Sequence, residues 1–217
     1  MPSFTEENYL KAIYHLSESG VNSVLTNDLA EAMNTKAASA TDMVKKLAAK
    51  KFISYKKYYG ASLTAKGNAE ALTVIRKHRL WETFLVQKLG FSWDEVHEVA
   101  EQLEHIQSKR LLEKLDEFLG YPKTDPHGDP IPDSHGKLQP QKAILCTQLK
   151  EGQQAMITAV KDSDSSLLKL LDKIGARPGK KIKIIGREAY DESTEALLDG
   201  HKVFLSKEVS KNILVTE

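Results

Sequence analysis

Hydrophobic positions along the first third of the chain repeat at helical spacing three times and then at strand spacing. In TEENYLKAIYHLSE, residues 5–18, the apolar positions Tyr9, Leu10, Ile13, Tyr14 and Leu16 line one helical stripe, with Thr5 as the expected N-cap. TNDLAEAM, 26–33, predicts a short second helix capped by Thr26 or Asn27, and Asn34–Thr35 breaks it. A third helix over 37–50 turns Ala40, Met43, Val44 and Leu47 inward. FISYKKYYGASLT, 52–64, then places strand-forming residues on both sides of Tyr59–Gly60, which predicts a hairpin. Three helices followed by a hairpin is the order of a winged helix-turn-helix, in which the third helix enters the major groove and the hairpin touches the backbone.

The pattern changes twice more. Residues 66–90 predict one long helix or two joined ones, and 93–119 two further helices, the last with Leu111, Leu112, Leu115, Phe118 and Leu119 on one face. Such a helical bundle after a DNA reader suits dimerisation. YPKTDPHGDPIPDSHGKLQP, 121–140, is rich in Pro, Gly and Asp and predicts a loop at a domain boundary. Beyond it MITAV, KKIKII and KVFLS are short strand patterns, and DSSLLKLLDKIG, 164–175, is a short helix, so a small β-barrel with a helical insertion is expected. The fold class is therefore mainly α with small β.

The 217 residues are 41% hydrophobic and 28% charged, an ordinary globular balance, with a formal net charge of +1. Binding to nucleic acid must then rest on a local patch. Met43 to Ala69 holds no acid but contains Lys45, Lys46, Lys50, Lys51, Lys56, Lys57 and Lys66, interleaved with Tyr55, Tyr58 and Tyr59. Lysines alone fit a solvated face equally well; with the helix order and hairpin they point to DNA. Expected DNA-contacting residues are Lys36, Ser39, Thr41, Asp42 and Lys45 on the third helix and Lys56, Lys57 and Tyr58 on the wing. No Arg or Gln on that helix can make a bidentate base contact, so phosphate contacts and DNA shape should carry much of the affinity. One cysteine, Cys146, forms no internal disulfide, and neither a signal peptide nor a membrane span is visible. A cytoplasmic protein is expected.

The helical pattern also holds candidate chemistry. In HEVAEQLEHIQ, 97–107, His97, Glu101, Glu104 and His105 fall on one helical stripe, apart from apolar Val99, Ala100 and Leu103. His78 and Glu82 are spaced i, i+4 on the preceding helix. One such pair is usually just solvated; two neighbouring helices that both carry His and Glu point to a metal site. His15, His127, His135 and His201 have no partner stripe and are expected as surface or packing residues. Oxygen and nitrogen donors without thiolate suit Mn²⁺ or Fe²⁺, although Zn²⁺ or Co²⁺ can substitute in vitro. No Gly-rich phosphate loop, nucleophile elbow or HExxH is present, so an enzyme is not expected. A metal-dependent hydrolase or metal-storage protein is the alternative from another class.

The stretches ENYLKAIYHL, YGASLTAKG, RKHRLWETFL, VHEVAEQLEHI and DPHGDPIPD, in this order and at these separations, resemble the diphtheria-toxin-repressor family of metal-dependent transcriptional regulators. The resemblance covers essentially the whole chain. It implies a winged helix-turn-helix DNA-binding domain (1–72), a helical metal-binding and dimerisation domain (73–140) and an SH3-like domain (148–217). It places an ancillary metal site on His78, Glu82 and His97 and a primary site on Asn8, Glu101, Glu104 and His105. The iron-dependent branch has Met and Cys where this chain has Asn8 and Glu101, and the manganese branch has Asp and Glu. Glu101 therefore looks like the manganese branch, while Asn8 matches neither. Lys11 stands where some short manganese regulators carry Glu. An SH3-like-domain ligand is expected at Asp162 or Asp164, beside the aligned Ser163. The implied function is a homodimeric, Mn²⁺-responsive repressor that binds double-stranded operator DNA and controls metal-ion homeostasis genes, without a membrane or small organic substrate; an iron(II)-dependent repressor is the alternative.

Overall fold

A computed structural model describes residues 2–17, 19–139, 142–161 and 164–216. The chain divides into two compact units. One comprises residues 1–78, 103–108 and 132–137, the other 79–102, 109–131 and 138–217.

The first unit contains α1 (Phe4–Leu16), α2 (Thr26–Ala32), α3 (Ala37–Ala49), β1 (Ile53–Lys56), β2 (Gly60–Leu63) and the start of α4 (Ala65–Leu89). Helix α1 begins one residue before the expected cap. Ser3 caps it through a reciprocal pair, Glu6 N–H to Ser3 Oγ at 3.4 Å and Ser3 N–H to Glu6 Oε2 at 2.8 Å, leaving Thr5 inside the first turn. The N-cap of α2 is Leu25, whose side chain makes no capping bond, so neither Thr26 nor Asn27 has the expected role. Leu10, Ile13, Leu29, Ala40, Val44 and Leu47 are buried as the helical stripes require, with Met43 only half-buried. Strands β1 and β2 pair antiparallel from Ile53–Leu63 to Lys56–Gly60, and Val24 exchanges backbone bonds with Ala61 at 2.8 and 2.9 Å. Gly60 makes this possible: at φ +95° a Cβ would stand 2.5 Å from the Val24 carbonyl oxygen.

The second unit holds the rest of α4, α5 (Val96–Leu103) up to Gln102, α6 (Lys109–Phe118) and a six-stranded antiparallel sheet. The strands are β3 (Ile144–Leu145), β4 (Gln154–Val160), β5 (Lys181–Arg187), β6 (Thr194–Leu198), β7 (His201–Leu205) and β8 (Ile213–Thr216). Their spatial order is β3-β8-β4-β5-β6-β7, with bulges at Ile157/Ala159 and Ile184/Gly186 that bend the sheet. Among the described residues no pairing joins β3 to β7, so the expected barrel is an open, curved sheet of SH3-like form. Helices α7 (Ser165–Ile174) and α8 (Lys207–Ser210) complete it. Ile157, Leu168, Leu171, Ile182, Ile184, Ile213 and Cys146 form its core, and Trp93 packs into the same cluster. A smaller core of Leu80, Leu115 and Ile131 lies under Trp81 and Phe84. Among the described residues no helix is long and apolar enough to cross a membrane.

Candidate metal centre and nucleic-acid interface

On the winged unit, Lys36, Ser39, Asp42 and Lys45 of the α3 face are exposed, as are Lys56, Lys57 and Tyr58 of the wing. Thr41 differs from expectation. It is half-buried, and its hydroxyl donates to the Ala37 carbonyl at 2.8 Å, so its polar atom already has a partner within the helix. Asp42 and Lys45 form an exposed ion pair at 3.5 Å. Lys46 and Lys50 are tied inward to buried Glu6, at 3.1 and 2.7 Å, which fastens α3 to α1. In the wing, Lys56 Nζ lies 4.0 Å from the Tyr59 ring centre and Lys57 Nζ 4.9 Å from that of Tyr58. These contacts pre-position two ammonium groups at an exposed turn, a form suited to phosphate.

The stripe predicted over 97–105 does not run through one helix. Helix α5 ends at Leu103, and Glu104 and His105 occupy the turn that follows. They belong to the first unit, whereas His97 and Glu101 belong to the second. Periodicity could not reveal this end, because the residues after Leu103 would fit another helical turn equally well.

In the first unit Glu104 is fully buried, and both its oxygens are engaged. Lys11 Nζ lies 2.7 Å from Oε1 and 2.8 Å from Oε2, and His78 Nδ1 lies 2.6 Å from Oε2. Burial pushes the Glu104 carboxyl up, but the His78 hydrogen bond and the Lys11 charge outweigh it, so it titrates below the ordinary range. His105 Nδ1 lies 2.6 Å from Glu7 Oε2, and Gln107 Nε2 donates to Glu7 Oε1 at 2.7 Å. Phe4 stacks on the His105 ring at 4.9 Å. Lys77 Nζ is buried 3.7 Å from Glu7; burial lowers its affinity for a proton, and Glu7 and Glu104 partly oppose this. With Nδ1 donating to Glu7, His105 keeps its lone pair on Nε2, which faces Glu104 Oε1 at 3.8 Å. Asn8, on α1 beside Glu7, buries an Oδ1 with no hydrogen-bond partner among the described residues. A buried oxygen lacking a donor is costly, and an electron-pair acceptor such as a divalent cation would relieve it. The donor set of amide oxygen, carboxylates and imidazole therefore fits a hard divalent ion.

In the second unit Glu82 is the centre. His97 Nδ1 lies 3.4 Å from its Oε1, and His97 Nε2 lies 3.6 Å from half-exposed Glu101. On the other side His127 Nδ1 is 3.7 Å from Glu82 Oε2 and 3.9 Å from Asp125 Oδ1. Glu82, Asp125 and His127 are all buried, and their ligand atoms are close enough together to hold one ion. His127 Nε2 donates to the Trp93 carbonyl at 2.7 Å, which turns Nδ1 toward the two carboxylates. Asp125 Oδ1 accepts the backbone N–H groups of His127 and Asp129 at 2.8 and 3.0 Å. Burial, then Glu82 and Asp129, push the Asp125 carboxyl up to about 7. Burial lowers the His127 value, but the hydrogen bond and charge of Glu82 prevail and carry it up to about 9. The loop is clamped to β4: Val160 N–H donates to the His127 carbonyl at 2.9 Å, and a Cβ on Gly128 would lie 1.9 Å from the Thr158 oxygen.

Sequence reasoning left out Glu7, Lys77, Asp125 and His127. His127, expected as a surface or packing residue, is a buried one, stacked on Trp93 at 5.8 Å and set against two carboxylates. The signal was DPHGDP itself, where an Asp and a His share one short turn. His78 has its Nδ1 on Glu104, and the ligand atoms of His78, Glu82 and His97, the set expected from the sequence, lie within 4.8 Å of one another. Asp164 caps α7, its Oδ1 accepting the N–H groups of Ser166 and Leu167 at 2.9 and 3.1 Å. Asp162 lies outside the described residues.

Residues 3–61 match the iron dependent repressor N-terminal DNA binding domain. Residues 64–133 match the iron dependent repressor metal binding and dimerisation domain, and 146–217 the FeoA domain. The iron-dependent repressor IdeR of Mycobacterium leprae is 36% identical over 128 residues, which cover 59% of this chain and 55% of that protein. The chain thus spans about half the length of that relative. A manganese-dependent transcriptional repressor solved in complex with manganese is 33% identical, with a TM-score of 0.86 over 98% of this chain and 99% of the other. The ScaR protein with bound Cd²⁺ is 33% identical, with a TM-score of 0.78 over all of both chains.

Proposed function

The chain belongs to the diphtheria-toxin-repressor family of iron-dependent repressors, and from that premise we propose that it is a metal-dependent, DNA-binding transcriptional repressor. We further propose that it responds to Mn²⁺, with Fe²⁺ as the alternative, acts as a homodimer on two-fold related operator DNA, and controls metal-ion homeostasis genes. The domain limits stay as proposed from the sequence, at 1–72, 73–140 and 148–217.

One observation carries the reading. Helix α1 presents Glu6 to the DNA-reading helix, through Lys46 and Lys50, and Glu7 to His105, and the next residue, Asn8, buries its Oδ1. A change at the cluster therefore reaches α3 through adjacent residues of one rigid helix.

Asn8, Glu104 and His105 would hold an ion in the first unit, with Glu7 fixing the His105 tautomer. Glu82 and His97, backed by Asp125 and His127, would hold one in the second. The family resemblance adds Glu101 to the first set and His78, with Asp162 or Asp164, to the second. A bound divalent ion supplies positive charge to carboxylates otherwise balanced by lysine and histidine. Glu104 and His105 then hold the segment 103–108 against α1, Glu6 holds α3, and the exposed lysines meet phosphate in a fixed arrangement. Affinity for the operator rises by the difference in ion binding between the ordered and loose states. A donor set without thiolate suits Mn²⁺ or Fe²⁺, since Cys146 is buried in the β core, and Glu101, where the iron-dependent branch has Cys, favours manganese. Exposed Leu111 and Phe118 on α6 offer an apolar face for a second copy.

The test is an anaerobic gel shift on a promoter fragment at fixed salt, titrated with Mn²⁺, Fe²⁺ or chelator. Mn²⁺-dependent retardation at the lowest ion concentration supports the reading. Retardation driven better by Fe²⁺ supports the iron alternative, and retardation unaffected by chelator removes metal dependence.

A further inference from the structure

We propose that Lys11 is a built-in cation that competes with the metal ion for Glu104 and so sets the ion concentration at which the protein responds. The inference rests on the reading of Glu104 as a metal ligand. Glu104 is fully buried, so its carboxylate needs a positive partner at all times. Lys11 supplies one: its Nζ is within 2.8 Å of both oxygens. With His78 Nδ1 also on Oε2, both carboxylate oxygens already accept hydrogen bonds. An ion that ligates Glu104 must share it with, or displace, an ammonium that already neutralises it.

The placement makes that exchange feasible. Lys11 is one helical turn beyond Asn8 on α1, so the ammonium and the orphaned amide oxygen rise from the same face. The Lys11 side chain is 14% exposed, and its long stem allows the charged end to swing toward solvent while its methylenes stay packed. His105 behaves differently: its Nε2 faces Glu104 Oε1 at 3.8 Å, poised to ligate without displacing a charge. A neutral Asn8 beside a cationic Lys11 leaves this cluster less negative than a pair of carboxylates would. The site therefore responds only at higher free ion.

The experiment measures free Mn²⁺ by its electron paramagnetic resonance signal, in titrations of the full chain, Lys11→Met, Lys11→Gln, Glu104→Ala and Lys11→Met/Glu104→Ala. The expected result is that Glu104→Ala loses one class of ions, that both neutral Lys11 variants bind that class about tenfold more tightly, equivalent to about 1.4 kcal/mol, and that the double variant behaves as Glu104→Ala. The Lys11→Gln variant keeps a polar side chain should Lys11→Met fail to fold. If Glu104→Ala binds as the parent does, the ligand reading itself falls and the competition with it. If Glu104→Ala loses ions but neither Lys11 variant binds more tightly, the ligand reading stands and the competition is overturned. An independent readout uses diamagnetic Zn²⁺. The hydrogen-bonded Lys11 Nζ resonance in a ¹⁵N-labelled protein should lose its protection as the Glu104-dependent ions bind, and an unchanged resonance overturns the proposal.

Discussion

His105 Nδ1 lies 2.6 Å from Glu7 Oε2, joining the segment after α5 to the first turns of α1. This single bond decides which imidazole nitrogen is available, because a ring that donates from Nδ1 keeps its lone pair on Nε2. Were His105 to hold an ion as proposed, Glu7 would position its ring without touching the ion.

Glu7→Gln should weaken binding of Mn²⁺ by about 10- to 100-fold, the range found when the partner of a ligating histidine is lost. Equilibrium dialysis with metal analysis checks this. Thermal unfolding in chelator should change far less than metal affinity, which separates positioning from a general loss of packing.

His127→Ala should destabilise the chelator-treated protein by about 3–5 kcal/mol, because it leaves buried Glu82 and Asp125 without the imidazole between them. Urea unfolding followed by circular dichroism is the measurement. An effect below about 1 kcal/mol, the level of an exposed pair, would mean that the carboxylates are neutral or have another partner.

Lysines of the DNA face should separate into two groups. Lys45→Ala and Lys57→Ala should lower operator affinity and reduce the slope of log affinity against log salt by about one each. Lys50→Ala should mainly lower stability, since its ammonium lies 2.7 Å from buried Glu6. Gel shifts at several salt concentrations, paired with thermal melts, distinguish the two.

Cys146 should resist a thiol reagent at pH 8 in the native protein and react once unfolded. Burial pushes its thiol up to about 11, with Arg187 opposing only in part. The sign follows from the raised value: this contribution to stability is complete below the ordinary thiol range near 9 and is lost as pH rises through about 11. Reaction with a chromogenic disulfide, with and without denaturant, tests the burial. Urea midpoints between pH 8 and 11 test the linkage.

The order of elements was legible in the hydrophobic pattern alone. Apolar stripes at 3.6-residue spacing placed α1, α2 and α3, the Tyr59–Gly60 break placed the wing, and the Pro- and Asp-rich run marked where helices give way to strands. These are local signals, and each needs only its own few residues to be read. Tertiary structure decided what local spacing cannot express. The stripe from His97 to His105 is continuous as a string of letters, yet the helix stops at Leu103 and its last two candidates turn toward α1. Lys11 met Glu104 across 93 residues, and His127 met Glu82 through a loop clamped on β4. Whether a charged side chain is a solvated face or half of a buried pair depends on what packs over it, and packing joins residues that periodicity treats as strangers.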